Sequence, residues 1–247
     1  MERIDSTSNS RIKEWAKLNQ KKERDRTGRF LAEGEHLIEE ALRAGIAEVI
    51  LSDHPERYRF ANVIQVPPAV AHKLCASRSG ASSVAVCRIT ERKPEKLERI
   101  LILDDVQDPG NLGTLIRTAQ SFGFDLVAAS EGTCDFYNEK VIRSTQGALF
   151  QMPVIRRPLR SYVENLQKEG VRVIATTLED SAPLHALKAD GPTAVILGNE
   201  GNGVSKELQN LADARVRIEM NGFESLNVAV AGGIMMYHLQ ERRSHTY

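Results

Sequence analysis

The sequence predicts an α/β protein built on a mostly parallel sheet, with a smaller α/β unit ahead of it, and three observations carry that expectation. Beyond residue 98, short apolar runs alternate strictly with stretches of helical period, the pattern of a parallel sheet covered on both faces. Before it, helical and β-like pieces are shorter and mixed, and Thr90–Glu98 carries charges around Pro94 with no apolar periodicity before Leu97, which reads as a linker. The chain has 247 residues, 41% of them hydrophobic, enough for two modest cores. The boundaries that follow are a first domain at 1–93, a linker at 94–98 and a second domain at 99–247.

In order along the chain, Ser10 suits the cap of a helix carrying Ile12, Trp15, Ala16 and Leu18. Lys21–Gly28 reads as a charged turn. Leu37, Ile38, Ala41 and Leu42 fall at helical spacing within Glu33–Ala44, with Gly45 as the stop. Short β-like runs follow at Glu48–Leu51, Val63–Val66 and Ser83–Ile89. In the second domain Ile100–Asp104, Asp125–Ala129, Val171–Thr176, Thr193–Leu197 and Ala214–Ile218 read as buried strands. Helices are expected at Leu112–Phe122, Asn138–Thr145, Ser161–Lys168, Ser205–Leu211 and Leu226–Gln240.

Composition excludes several classes. No run approaches the roughly 18 apolar residues of a membrane span, and the start of the chain has no apolar stretch of signal-peptide type, so a cytoplasmic protein is expected. Cys75, Cys87 and Cys134 are odd in number, far apart and without a C-x-x-C pair, which suggests neither disulfides nor a zinc site. The six histidines lack metal-ligand spacing, and no metal is expected. Net charge is zero, yet residues 1–98 hold 18 basic against 15 acidic residues and the remainder 15 against 18. The first 29 residues are the most basic, with nine Lys and Arg against five acids. A phosphate-binding edge through Arg11, Lys13, Lys21, Lys22 and Arg29 fits this pattern; so does a solvated helix face laced with ion pairs.

Ligands of open parallel sheets bind beyond the carboxyl ends of the strands, and three loops there stand out. Asp104–Gly113 leads into a helix whose apolar face is Leu112, Leu115, Ile116 and Ala119, with Arg117 beside that face. A planar, permanently charged guanidinium there suits a phosphate or a forming alkoxide, although a surface salt bridge satisfies the spacing equally. Gly198–Gly203 places three glycines in six residues between a strand and a helix, so that backbone amides can approach a ligand. Its G-x-x-G-x-G spacing departs from the dinucleotide fingerprint, and no G-x-x-x-x-G-K-[ST] loop occurs. A nicotinamide-dependent oxidoreductase is therefore disfavoured, with Glu219 as its ribose-binding acid if it held. The third loop, from Ile218 to Asn227, opens the last long helix; Ser225 suits an N-cap and leaves Asn227 unexplained.

Together the motifs Asn111-Leu112-Gly113-Thr114-Leu115-Ile116-Arg117-Thr118-Ala119, Leu197-Gly198-Asn199-Glu200-Gly201-Asn202-Gly203-Val204-Ser205 and Ser225-Leu226-Asn227-Val228-Ala229-Val230-Ala231 closely resemble the SpoU (TrmH-type) family of RNA ribose 2′-O-methyltransferases, of the SPOUT superfamily. Lys140–Phe150 is similar to the family's intervening helix, and Gly28–Gly34 to the opening of its L30e-like RNA-binding domain. The resemblance implies a parallel-sheet SPOUT domain with a deep trefoil knot, S-adenosylmethionine as cofactor, a homodimer, and a structured RNA as partner, with large-subunit ribosomal RNA favoured over transfer RNA. A transfer-RNA enzyme and a non-catalytic RNA-binding SPOUT protein are the other outcomes within reach of it.

Carried onto matching positions, the resemblance implies that Arg117, Asn111, Glu200, Ser225 and Asn227 are the catalytic group. It places the cofactor against Thr176, Leu197, Gly198, Asn199, Glu200, Gly201, Ile218, Met220, Leu226 and Asn227. Arg117 is expected to stabilise the alkoxide or orient the phosphate rather than act as base, since an arginine pKa lies above about 12. Asn111 would hold the loop or substrate, Glu200 would orient Arg117 or the second loop, and Ser225 and Asn227 would position ribose or cofactor. One departure stands out: Glu219 occupies the place of a family proline, between Ile218 and Met220.

Overall fold

A computed structural model describes residues 1–58, 61–76, 80–188, 190–221 and 225–240. The chain forms two compact units, Met1–Glu91 with Asp135–Gln151, and Arg92–Cys134 with Met152–Tyr247. The sequence reading runs the second domain unbroken from 99 to 247; the structure assigns a 17-residue piece of it, Asp135–Gln151, to the first unit.

The first unit contains β1 (Glu2–Arg3), α1 (Ser10–Ala16), α2 (Lys21–Thr27), β2 (Arg29–Glu33), α3 (Glu35–Arg43), β3 (Ala47–Ser52), β4 (Val63–Gln65), α4 (Pro68–Leu74) and β5 (Ser83–Arg88). Its sheet runs β1-β4-β3-β5-β2, with β3 and β2 antiparallel to β5 and the remaining pairs parallel. Ile12, Leu31, Leu51, Ile64, Val70, Leu74, Val84 and Val86 form one core cluster. Three local expectations are corrected. Asn9, not Ser10, caps α1, its side chain accepting from the Arg11 amide at 2.9 Å. Lys21–Thr27 is a helix, not a turn: lysine, glutamate and arginine are good helix formers, Lys21 pairs with Asp25 one turn on, Arg24 is buried, and Gly28 closes the helix at φ 64°. Glu33 belongs to a strand, because Gly34 at φ 90° breaks the chain before α3 starts.

The second unit carries β6 (Arg99–Leu103), α5 (Pro109–Ser121) and β7 (Leu126–Ala129), after which the chain enters α6 (Glu139–Thr145) of the first unit. It returns as β8 (Val154–Arg156), α7 (Leu159–Lys168), β9 (Arg172–Thr176), β10 (Ala182–Pro183), β11 (Thr193–Leu197), α8 (Lys206–Leu211), β12 (Ala214–Arg217) and α9 (Val228–Leu239). The sheet is parallel throughout, in the order β10-β12-β9-β11-β6-β7-β8. Successive strand residues alternate faces: Ile100, Ile102, Val173, Ala175, Ala194 and Ile196 pack with Leu159, Val163 and Leu166 of α7 and Leu208 of α8. Leu197 faces the other way, against α9, where a side chain on Gly232 would meet Leu115 of α5 and Leu197. The short strands β8 and β10 have no counterpart in the sequence reading. Among the described residues no helix is long and apolar enough to cross a membrane.

Candidate active site

The carboxyl ends of β6, β9, β11 and β12 lie along one edge of the parallel sheet, and the three singled-out loops leave from that edge. The first loop is anchored at the start of α5, where Asp108 caps the helix by accepting from the Asn111 amide at 2.8 Å and Pro109 fills the first turn. The second closes on itself: Asn199 and Gly203 exchange backbone hydrogen bonds at 3.0 and 2.9 Å, and the Asn199 side-chain oxygen accepts from the amides of Gly201 and Asn202. Gly198 is obligatory there, because a β-carbon would lie 2.0 Å from the Gly203 carbonyl carbon.

These two loops are cross-linked. Asp104 accepts from the Ser205 amide at 2.8 Å, and Asn199 Nδ2 donates to the Asp105 carbonyl at 2.9 Å. The Glu200 carboxylate accepts from the amides of Gln107 and Asp108 and from Asn111 Nδ2, at 3.2, 3.0 and 3.0 Å. Burial alone would push the Glu200 carboxyl up, but the bonds donated by Asn111, Asp108, Gln107 and its own amide outweigh it and hold the group below its ordinary value.

The third loop joins through Asn227. Its side-chain oxygen accepts from the amides of Ala229 and Val230, capping α9, and its Nδ2 donates to Asn111 Oδ1 at 3.0 Å. The chain has one possible polarity: because Asn227 must present its oxygen to the helix amides, Asn111 must present its oxygen to Asn227 and its nitrogen to Glu200. This corrects the capping expectation, which gave the role to Ser225; Ser225 is exposed and lies two residues before the cap. It also explains why a mediocre helix former occupies position 227. Residues 222–224 of this loop lie outside the described residues.

Three of the five expected catalytic residues, Asn111, Glu200 and Asn227, are thus brought into one hydrogen-bonded chain. Arg117 and Ser225 stand outside it. Glu200 orients the start of α5 rather than Arg117, whose guanidinium is exposed and has no side-chain partner among the described residues. Arg117 sits six residues beyond Asn111 on α5, about 9 Å along the helix axis. The loop residues Asp104, Asp105 and Asp108 were not singled out from sequence. The Asp108-Pro109 pair is a helix-start signal that would have found one of them; the Asp104 bond to Ser205 spans 101 positions and leaves no local trace.

The expected cofactor positions line the same edge. Leu197 and Gly198 are buried at the end of β11, and Thr176, ending β9, donates to the Ile196 carbonyl at 2.9 Å. Among the described residues no backbone hydrogen bond takes up the amides of Gly198, Ile218, Met220 or Leu226. Uncommitted amides on the loops that follow β11 and β12 suit a ligand held by the main chain. Glu219 pairs with His185, and a hydrogen bond from its own amide, followed by the one from His185, holds its carboxyl below the ordinary value.

Residues 98–237 match the SpoU rRNA methylase family and residues 9–85 the MRM3-like substrate-binding domain. The chain belongs to the SpoU rRNA methylase family. It is 41% identical to the 23S rRNA (guanosine(2553)-2′-O)-methyltransferase RlmP of Bacillus subtilis, over 97% of this chain and 100% of that one. Its fold is similar to that of an AdoMet-bound rRNA methyltransferase from Sinorhizobium meliloti, with TM-score 0.87 and 30% identity over 96% of this chain and 97% of the other. The SpoU methyltransferase AviRb of Streptomyces viridochromogenes, in complex with AdoMet, matches at TM-score 0.82 and 26% identity over 94% and 97% of the two chains.

Proposed function

We propose that this SpoU-family chain is an S-adenosylmethionine-dependent methyltransferase that modifies a ribose 2′-hydroxyl in 23S ribosomal RNA. The observation that carries the reading is the Glu200–Asn111–Asn227 chain, which ties all three family motifs together, while Arg117, further along α5, is left without a partner among the described residues. The full-length likeness to a 23S rRNA ribose methyltransferase supports the substrate class. The bound cofactor supplies an electrophilic methyl group. Leu197, Gly198, Asn199, Glu200, Gly201, Ile218, Met220 and Leu226 would hold it, chiefly through main-chain groups, with Thr176 and Asn227 at the rim.

The protein's own part is positioning and charge. The 2′-hydroxyl is a weak nucleophile, and negative charge grows on its oxygen as the proton leaves. Arg117 stabilises that charge or clamps the adjacent phosphate, while the rigid chain through Asn111 and Asn227 fixes the helix that carries it. Ser225 donates to the ribose or cofactor. Lys13 and Lys22, exposed and without partners among the described residues, bind phosphate, and Arg11, Lys21 and Arg29 do so by exchanging their carboxylates for it. The working form is a homodimer: Val230, Ile234 and Tyr237 leave apolar side chains exposed on α9, Val230 at 52% and Tyr237 at 66%, and Leu226 is exposed just ahead of it, a surface of the kind a second copy covers. The cytoplasm as compartment, the L30e-like character of the first unit and the deep trefoil knot belong to the same reading.

The test is transfer of labelled methyl from S-adenosylmethionine to ribosomal and transfer RNA from cells lacking the gene. Label recovered from 23S RNA in one alkali-resistant dinucleotide is the expected result. Label in a base, or only in transfer RNA, would overturn the reading.

A further inference from the structure

Asp105, in the first loop, is held at φ 58°, a left-handed conformation that costs any residue with a β-carbon and that aspartate and asparagine tolerate best. In that bend its carbonyl accepts from Asn199 Nδ2 at 2.9 Å. The side-chain oxygen of the same Asn199 takes the amides of Gly201 and Asn202 at 2.9 and 3.1 Å. One asparagine side chain therefore both folds the second loop and hangs it on the Asp105 main chain.

A strained backbone persists only where its surroundings over-determine it, and here the turn Ser130–Cys134, which follows β7, does so. The Asp105 amide donates to Ser130 Oγ at 2.9 Å, and the Ser130 hydroxyl donates to the Asp105 carboxylate at 2.5 Å. A hydroxyl can grip main chain and side chain of one residue together because it accepts and donates at a single oxygen. Gly132 walls the same carboxylate, where a β-carbon would lie 2.3 Å from Oδ1. The turn is itself fixed to the sheet: the Ser130 amide and the Thr133 hydroxyl donate to the Leu103 carbonyl at 3.0 and 3.1 Å, and Arg156 of β8 donates to the carbonyls of Ser130 and Cys134. All of these residues belong to the second unit.

We infer that Ser130 and Asp105 are positioning residues for S-adenosylmethionine: the Ser130 hydroxyl clamps the left-handed bend, and the bend presents the carbonyl from which Asn199 suspends the Gly198–Gly203 loop. The inference rests on the methyltransferase reading above, in which that loop holds the cofactor. A clamp that served the fold alone would lower Tm and leave the cofactor affinity of the folded protein unchanged.

Full-length variants are compared with wild type by calorimetric titration with S-adenosylmethionine and by single-turnover methyl transfer at saturating cofactor, well below each variant's Tm. S130A is expected to raise Kd about three- to tenfold, the scale of one lost hydrogen bond, with the saturated rate falling by less. D105G keeps the bend but loses the carboxylate and should match S130A; D105N keeps both the bend and an acceptor for Ser130 and should return Kd to within about twofold of wild type. G132A removes no polar group, yet should weaken binding in the same direction by pushing the carboxylate off Ser130, and it serves if S130A does not fold. N199D keeps the acceptor for the loop amides and loses the donor to Asp105, so S130A with N199D should bind no more weakly than the weaker of the two single variants. Folded S130A, D105G or G132A within about twofold of the wild-type Kd, D105N as weak as D105G, or losses that multiply overturn the inference alone. Wild type that binds no S-adenosylmethionine overturns the function reading, and this inference with it.

Discussion

At the carboxyl edge of the seven-stranded sheet, Glu200, Asn111 and Asn227 spend their hydrogen bonds on one another and on main-chain amides. At the basic start of the chain, Arg11, Lys21 and Arg29 are each neutralised by a nearby carboxylate, while Lys13 and Lys22 are exposed and have no partner among the described residues. The first arrangement admits one orientation of each amide, and Arg117, six residues further along α5, has no side-chain partner among the described residues. The second is a set of exposed ion pairs that long side chains can remake at little cost. The first region is built from short side chains locked by amides; the second keeps long, exposed ones.

Removing the outlying cation is expected to have the largest effect. Arg117→Ala should slow methyl transfer about 10²- to 10³-fold, the range for loss of one group that stabilises charge in the transition state, while S-adenosylmethionine binds as before. Transfer within a few-fold of wild type would break the division of labour between Arg117 and the amide chain.

The two regions also differ in how much of them the residues announce. Strands such as Thr193–Leu197, five buried apolar-to-small residues between turns, match the structure to the residue, because burial on both faces demands an unbroken apolar run. The three loops were legible as ligand loops, since glycines, Asp-Pro and a misplaced asparagine each answer a local backbone need. Their joining was not: Asn227 meets Asn111 across 116 positions and Asn111 meets Glu200 across 89. Helix α2 was hidden because its anchor is a buried arginine rather than an apolar stripe. The edge strands β8 and β10 were too short for any period to show.

A smaller effect is expected from within the amide chain. Glu200→Gln replaces an acceptor-only carboxylate by an amide whose nitrogen cannot serve the amides of Gln107 and Asp108, and should reduce methyl transfer about tenfold through a shifted α5 start. The acid dependence sharpens this. The folded state holds the Glu200 carboxyl below its ordinary value of 4.5, so the stability it contributes is present above that pH and is lost as pH falls through the lower folded value. The stability advantage of wild type over Glu200→Gln, followed by denaturant titration, should therefore shrink on acidification below 4.5. An advantage independent of pH would mean that the carboxylate charge is not what the loop amides recognise.

The smallest effects belong to the basic edge, where they separate free cations from paired ones. The salt dependence of RNA affinity counts phosphates neutralised, each worth a slope of about 0.7 to 0.9. Lys13→Ala with Lys22→Ala removes two cations that have no partner to release among the described residues, and the slope should fall by about 1 to 2. Arg11 must first leave Glu2 and the ring of Trp15, 4.9 Å from its guanidinium carbon, and Arg29 must leave Glu48. An arginine that stays with its carboxylate neutralises no phosphate, so Arg11→Ala with Arg29→Ala should lower the slope by less than the lysine pair does. Equal or greater loss from the arginine pair would mean that RNA strips these ion pairs on binding. Their carboxylates would then act as placeholders for phosphate, and the contrast between a locked site and an adaptable surface would extend to single ion pairs.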